Sequence, residues 1–194
     1  MSKKKIKCIG LIVEDNSDFD SFKKIISRIT NKSNLSFKKA IGNGCGKIKR
    51  KASSYANILH QRGCDMIILV HDLDRNNLAV LKSELNTSIK NSPAKYNYVC
   101  VPVEEIEGWF LSDPMGIKNS LKLYLKPKIS SLPENIASPK EKIGELVYQC
   151  SNKTKIYLNT KHNSILADSI SIEEMKKKCN SFNEFYDFIN QYDY

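Results

Sequence analysis

Apolar positions along the chain follow two rhythms, and the switch between them predicts the elements. Ile6 to Val13 is a near-continuous apolar run ending in Glu14 and Asp15, and positions 19, 22, 25, 26 and 29 then repeat at helical spacing. This reads as a strand followed by a helix. Leu35 to Ile41 is a second strand, and Ile48, Ala52, Tyr55, Ile58 and Leu59 mark one face of a helix that stops before Gly63. Asp65 to Asp72 is a buried strand, Leu78 to Ile89 a helix, and Tyr96 to Val103 a fourth strand. Strands alternating with helices imply right-handed crossovers and a mainly parallel sheet with helices on its faces, an α/β fold.

From Glu105 onward the pattern turns helical. Ser138, Ser171 and Ser181 each stand three residues before a Glu, the spacing of a capping box. Phe182, Phe185, Phe188 and Ile189 form a stripe expected to dock the last helix on the core. The expected organisation is an α/β core over residues 1–112 and a helical C-terminal extension over 113–194 packed on it.

Composition adds limits. With 41% hydrophobic and 27% charged residues, the 194-residue chain is neither disordered nor a disulfide scaffold, and it is long enough for one sizeable core. The apolar run Cys8 to Val13 is too short for a secretory signal or a membrane span, so a soluble, cytoplasmic protein with no membrane association is expected. Six cysteines (8, 45, 64, 100, 150 and 179) include no C-x-x-C pair and read as reduced, mostly buried thiols. The net charge of +10 suits a nucleic-acid partner, although a Lys-, Asn- and Ile-rich bias also arises from an AT-rich genome.

Ligands of parallel sheets bind beyond the carboxyl ends of the strands. There this chain places Glu14 and Asp15, then Asp72 and Asp74, then Glu104, Glu105 and Glu107. Asp72 and Asp74, two apart in an extended strand end, would aim both carboxylates to one side. Asp18 follows Glu14 by four residues, and Glu104 and Glu107 are spaced to share a helix face. Crowded carboxylates repel unless a cation sits among them; with oxygen ligands and no His pair, Mg²⁺ or Mn²⁺ is the expected ion. Asp15, Asp20 and Glu105 are equally well explained as partners of helix dipoles. His60, His71 and His162 share no spacing and read as bystanders, with His71 adjoining the acids.

Gly42, Gly44 and Gly46 lead into Lys47, Lys49, Arg50 and Lys51 at a helix start. Glycines allow close backbone approach and a helix N-terminus offers free N–H groups, so Gly44, Gly46 and these four basic residues are candidate nucleic-acid phosphate contacts. The spacing is not that of a nucleotide-hydrolysing P-loop. The basic runs Lys3–Lys5, Lys122–Lys128 and Lys176–Lys178 read as solvated surface.

These residues resemble a Toprim domain, the metal-binding module of topoisomerases, primases and OLD-type nucleases. Ile12-Val13-Glu14-Asp15-Asn16-Ser17-Asp18 is similar to its first-strand motif and His71-Asp72-Leu73-Asp74 to its D-x-D, with Asp15 where Toprim proteins mostly carry Gly. Together with the GNGCGK segment, Val103 to Pro114, Ser138 to Glu141 and Ser181-Phe182, they resemble an uncharacterised Toprim-like family of about 200 residues. The resemblance implies a catalytic metal centre of Glu14, Asp72 and Asp74, with Asp18 and Glu107 for a second ion. It further implies phosphodiester hydrolysis, with an ATPase partner protein in anti-phage defence. Glu14 is a candidate general base or acid, and Lys47 and Lys161 are candidates for stabilising charge on the phosphate. Two other readings stand beside this one: a nucleic-acid or metal-binding module without catalysis, and a phosphoacceptor receiver domain using Asp72 and Lys126-Pro127.

Overall fold

The computed structural model describes residues 5–32, 34–130 and 132–194. Lys3 and Lys4 of the first basic run, and the side chain of Cys45, lie outside what is described. Four strands, β1 (Cys8–Val13), β2 (Ser36–Ile41), β3 (Met66–Val70) and β4 (Tyr96–Cys100), form an all-parallel sheet in the order β2-β1-β3-β4. The crossovers are α1 (Asn16–Thr30), α2 (Cys45–Gln61) and α3 (Leu78–Ile89). After β4 come α4 (Glu107–Phe110), α5 (Pro114–Ser120), α6 (Pro139–Cys150), α7 (Asn159–Ser169), α8 (Ile172–Lys178) and α9 (Asn180–Asn190).

Alternation along the buried strands explains why helices cover both faces. Ile9, Leu11 and Val13 of β1 and Met66, Ile68 and Val70 of β3 point into one core with Phe22, Ile25 and Ile26 of α1. Cys8 and Ile12, with Ile67 and Leu69, point into a second core with Ile48, Ala52 and Leu59 of α2 and Leu81 and Leu85 of α3. Gly10 lets α2 come this close: a Cβ there would stand 2.8 Å from Ile67 Cδ1 and 3.0 Å from Leu59 Cβ. The outer strand β2 carries Lys38 and Lys39, charges that discourage edge pairing.

Residues past Ser112 complete the α1 side of the sheet. Phe182, Phe185 and Ile189 of α9 belong to the same core as β1 and α1, and α7 packs along α1. Trp109 sits at its centre, with ring centroids 5.6 Å from Phe22, 5.0 Å from Phe182 and 5.8 Å from Phe185. The apolar stripe of the last helix thus meets the surface its spacing requires.

The three Ser-x-x-Glu segments behave differently from one another. Ser171 caps α8 as expected, accepting from Glu174 N at 3.3 Å. Ser138 makes no such bond; the first free N–H of α6, at Lys140, instead donates to Glu105 Oε2 at 3.1 Å. Ser181 is no cap, because α9 begins one residue earlier. Its hydroxyl accepts from Trp109 Nε1 at 2.8 Å and donates to Glu134 Oε1 at 2.5 Å, satisfying an indole N–H that burial would otherwise orphan.

Cys8, Cys64, Cys100, Cys150 and Cys179 are free and buried. Among the described residues no helix is long and apolar enough to cross a membrane.

Candidate metal centre

The order β2-β1-β3-β4 reverses between β1 and β3, since the chain leaves β1 for one side and returns to the other. A crevice opens at the carboxyl ends of two such strands. Here it is a cleft of 420 Å³. The turn after β1 lines it with Glu14 and Asp15, and the first turn of α1 adds Asp18. Asp72 and Asp74 come from the loop after β3, and Glu105 and Glu107 from the loop after β4 and the start of α4. Lys140 of α6 and Asn159 and Asn163 of α7 close it from the C-terminal helices.

Local hydrogen bonds fix these positions. Asp15 is the N-cap of α1, accepting from Ser17 N at 2.7 Å and Asp18 N at 3.0 Å, which presents Asp18 toward the cleft. Asp15 therefore serves the helix dipole while also lining the site. Asn43 N donates to Glu14 O at 3.0 Å, holding the turns after β1 and β2 together. Ser17 Oγ donates to Asn159 O at 3.1 Å and joins α1 to α7 beside the cleft.

The Asp72–Asp74 pair is not an extended strand end. β3 stops at Val70, and the chain turns so that Asp74 and Arg75 adopt left-handed φ values of 48° and 61°. Glu104 does the same at 59°. Such backbone costs roughly 1 kcal/mol or more per non-Gly residue. Bonds between the two loops hold it: Leu73 N to Glu104 O at 3.0 Å and Arg75 N to Glu104 Oε2 at 3.0 Å.

This also corrects the expectation for Glu104. Lying before α4 in a left-handed conformation, it shares no helical face with Glu107, and its carboxylate is turned to Arg75 N. It lines a neighbouring pocket of 190 Å³ with Asp74, Glu105 and Glu141, whereas Glu105 is the residue that reaches the main cleft. Asp20 points to solvent on α1.

Burial and like charge act together on these acids. Desolvation, then Asp15, Glu107 and Glu14, raise Asp18 to about 7, the Asp15 contact through the backbone offsetting part of this. Asp72 is pushed well above the ordinary carboxylate range, first by burial and then by Asp18, Glu107, Asp74 and Glu105. Glu105 is raised by burial and by Glu107. Glu107, 3% exposed, is raised by burial, while bonds from Asn163 and Tyr157 hold it down. Asn163 Nδ2 lies 3.1 Å and the Tyr157 hydroxyl 3.2 Å from Glu107 Oε1, and that hydroxyl also meets Asn163 Oδ1. Tyr157 has one proton to give, and Glu107 Oε1 and Asn163 Oδ1 both lie within its reach.

Among the described residues, no group of three or more His, Cys, Asp or Glu side chains stands in an arrangement that holds a metal ion as it is. The acids form the wall of an open cleft, with all donors oxygen. Mg²⁺ binds through one or two carboxylates while keeping several waters, so this donor set suits a hydrated Mg²⁺ or Mn²⁺.

The glycine and lysine segment lies beside the cleft. α2 begins at Cys45 with Gly44 as N-cap at φ 116°, a conformation that favours glycine. Lys47, Lys49, Arg50 and Lys51 are exposed, and Lys49 is paired with Glu84. Gly46 and Lys49 line a 250 Å³ pocket with His71, Asp74 and Asn76, so Asp74 stands where three cavities meet. Buried His71 contacts Asp72 O through Nδ1 at 2.7 Å. Lys47 and Lys161 do not line the acidic cleft, and neither does the exposed Lys126; the lysine that does is Lys140. Sequence spacing did not reveal Lys140, Asn159, Asn163 or Tyr157 as site residues, because they arrive from α6, α7 and the segment leading into α7, far along the chain.

Compared with curated proteins and with solved structures, the chain matches none. A family described as a domain of unknown function, DUF4276, matches residues 13–190, from the last residue of β1 to the last residue of α9. The match takes in every element that lines the cleft, and the chain belongs to the DUF4276 family.

Proposed function

We propose that the cleft is the active site of a metal-dependent nuclease that hydrolyses phosphodiester bonds. The observation that carries this reading is electrostatic. In a chain of net charge +10, acids from three strand ends are crowded together until Asp18, Asp72, Glu105 and Glu107 all bind protons more tightly than ordinary carboxylates. A divalent cation relieves that repulsion, and a fold that maintains it without a cation gains nothing in stability.

Glu14, Asp72 and Asp74 would hold the ion, Mg²⁺ or Mn²⁺, with Asp18 and Glu107 for a second. When bound, the metal supplies Lewis-acid charge and an activated water for attack on phosphorus. Lys140, the basic residue lining the cleft, attracts the phosphate that the acids would otherwise repel. Asn159 offers an amide group from α7 to orient the substrate, while Asn163, buried and bonded to Glu107 and Tyr157, holds the Glu107 carboxylate in place. Glu14, which lines the cleft after β1, would serve as general base or acid where it is not a pure ligand. By its resemblance to Toprim families, the protein would act in the cytoplasm beside an ATPase partner in anti-phage defence.

The test is cleavage of labelled single- and double-stranded DNA and RNA with Mg²⁺ or Mn²⁺, with and without an ATPase encoded alongside. Cutting should need the metal and disappear in Glu14→Ala and Asp72→Ala. Cutting that survives EDTA or both substitutions overturns the reading.

Strand order favours one competitor. Receiver domains share the doubly wound order and an acid at the end of the third strand. Lys126, their expected lysine, lies away from the cleft, which puts this reading second. Labelling of Asp72 by a small phosphodonor would reverse that ranking.

A further inference from the structure

Two segments far apart in sequence share an unusual composition. Residues 114–130 contain Lys118, Lys122, Lys126 and Lys128, and residues 146–167 contain Lys153, Lys155 and Lys161, with no Asp or Glu in either. The fold brings them together. Tyr124 N and Leu125 N donate to Cys150 O at 3.0 and 3.1 Å, and Lys155 Nζ donates to Leu121 O and Lys122 O at 2.7 and 2.8 Å. The acids that flank the second segment are each paired, Glu145 with Lys142 at 2.8 Å and Asp168 with Lys24 at 3.6 Å.

Between the segments runs a groove of 360 Å³ with Lys122, Lys155, Lys161, Ile156, Leu158 and Ile165 on its walls. Large apolar side chains stand open among the lysines: Ile156 is 74% exposed, Tyr124 63% and Leu158 53%. The groove adjoins the acidic cleft. Leu158 lines the groove while the next residue, Asn159, lines the cleft. His162 lines the groove and stacks on Tyr157 at 5.6 Å, whose hydroxyl contacts Glu107 of the cleft.

We infer that this face is the nucleic-acid track of the protein, binding single strands with phosphates on Lys122 and Lys161 and bases on the exposed apolar side chains, and delivering them past Asn159 to the cleft. The inference rests on reading the cleft as a phosphodiesterase site. A polyanion approaching a wall of carboxylates needs a compensating positive field, and the acid-free face provides it next to the cleft. Single-strand binding uses a basic groove with aromatic side chains on which bases stack; here Tyr124 is the aromatic platform, and Ile156 and Leu158 add exposed apolar surface. A double helix, with its bases stacked inside, would leave Tyr124, Ile156 and Leu158 without partners. Of the basic residues at the start of α2, Lys49 is engaged by Glu84.

The experiment measures fluorescence anisotropy of a labelled single strand of roughly 20 nucleotides, longer than a binding site of about 4 to 16. The full chain is used in EDTA, over a range of salt. Lys155 is left intact because it holds two backbone carbonyls. Lys122→Ala/Lys161→Ala should lower the salt slope by about 1.4, two contacts at roughly 0.7 each for single strands. Tyr124→Ala should weaken binding about tenfold with the slope unchanged. Lys90→Ala/Lys95→Ala, at the end of α3 and just before β4, should leave the slope near wild type; melting curves check that all variants are folded.

An unchanged slope in the Lys122/Lys161 pair, an equal loss in the Lys90/Lys95 pair, or a wild type that does not bind the strand overturns the inference, the last favouring an acidic protein on this face. These results leave the nuclease reading to its own cleavage test. Conversely, absence of cleavage with any metal sinks that reading while a reduced slope still supports the track.

Discussion

Tyr157 and Glu107 meet 3.2 Å apart inside the protein, one from the segment leading into α7 and the other from the first residue of α4. This contact ties the C-terminal helices to an acid of the cleft. Tyr157→Phe removes it together with the hydroxyl's contact to Asn163 Oδ1. The expected cost is about 1 to 3 kcal/mol, read as a lower melting temperature. Glu107, losing one of the bonds that hold it down, should also protonate at higher pH, measurable by carbon-detected NMR titration of its carboxyl.

Asp18 gives the metal-free protein a characteristic pH dependence. Its proton affinity in the fold, about 7, exceeds the ordinary 3.8, so the native state binds more protons than the unfolded chain between those values. Stability should therefore fall as pH rises from about 4 to 7 and level off above, with a slope on the order of 1.4 kcal/mol per pH unit at most from this group. Thermal melts in EDTA across that range should show the decline. Adding Mg²⁺ should reverse it near pH 8, where the carboxylates are charged and the ion competes with few protons. Melting curves that rise with pH in EDTA would contradict the crowding described here.

Asp72→Asn should separate activity from stability. Removing a buried carboxyl among four other acids should leave the EDTA melting temperature unchanged or higher, while the proposed nuclease activity is lost. A melt far below wild type would mark Asp72 as a structural acid. Glu14→Ala provides the parallel case from the end of β1.

Two glycines should resist even alanine. At Gly42 a Cβ would lie 2.2 Å from Ile48 Cγ1, and at Gly10 it would meet both β3 and α2. Each substitution should cost roughly 1 to 3 kcal/mol in chemical denaturation. Gly42→Ala should also disturb the start of α2, whereas Gly46, with nothing within 4 Å of its Cβ position, should tolerate alanine as far as packing goes.

The alternation of strands and helices was legible in the sequence because each burial pattern is local. Met66 to Val70 is apolar on both sides, which only a strand covered on two faces requires, and Leu78–Ile89 appears in the fold with the bounds its spacing predicts. Parallel pairing follows from the crossovers, and with it the gathering of Glu14, Asp18, Asp72 and Asp74 at one end of the sheet. What the spacing missed depended on backbone conformation and long-range contact. Whether Glu104 or Glu105 reaches the cleft turns on a left-handed residue held by a neighbouring loop, and no periodicity records that. Ser181 has the spacing of a cap but serves Trp109, because the indole N–H it satisfies lies on another helix. Lys140, Asn163 and the basic groove between residues 114–130 and 146–167 exist as a surface only once the last helices fold back along α1. Sequence neighbours determined the elements, and packing between distant segments decided which side chains face one another.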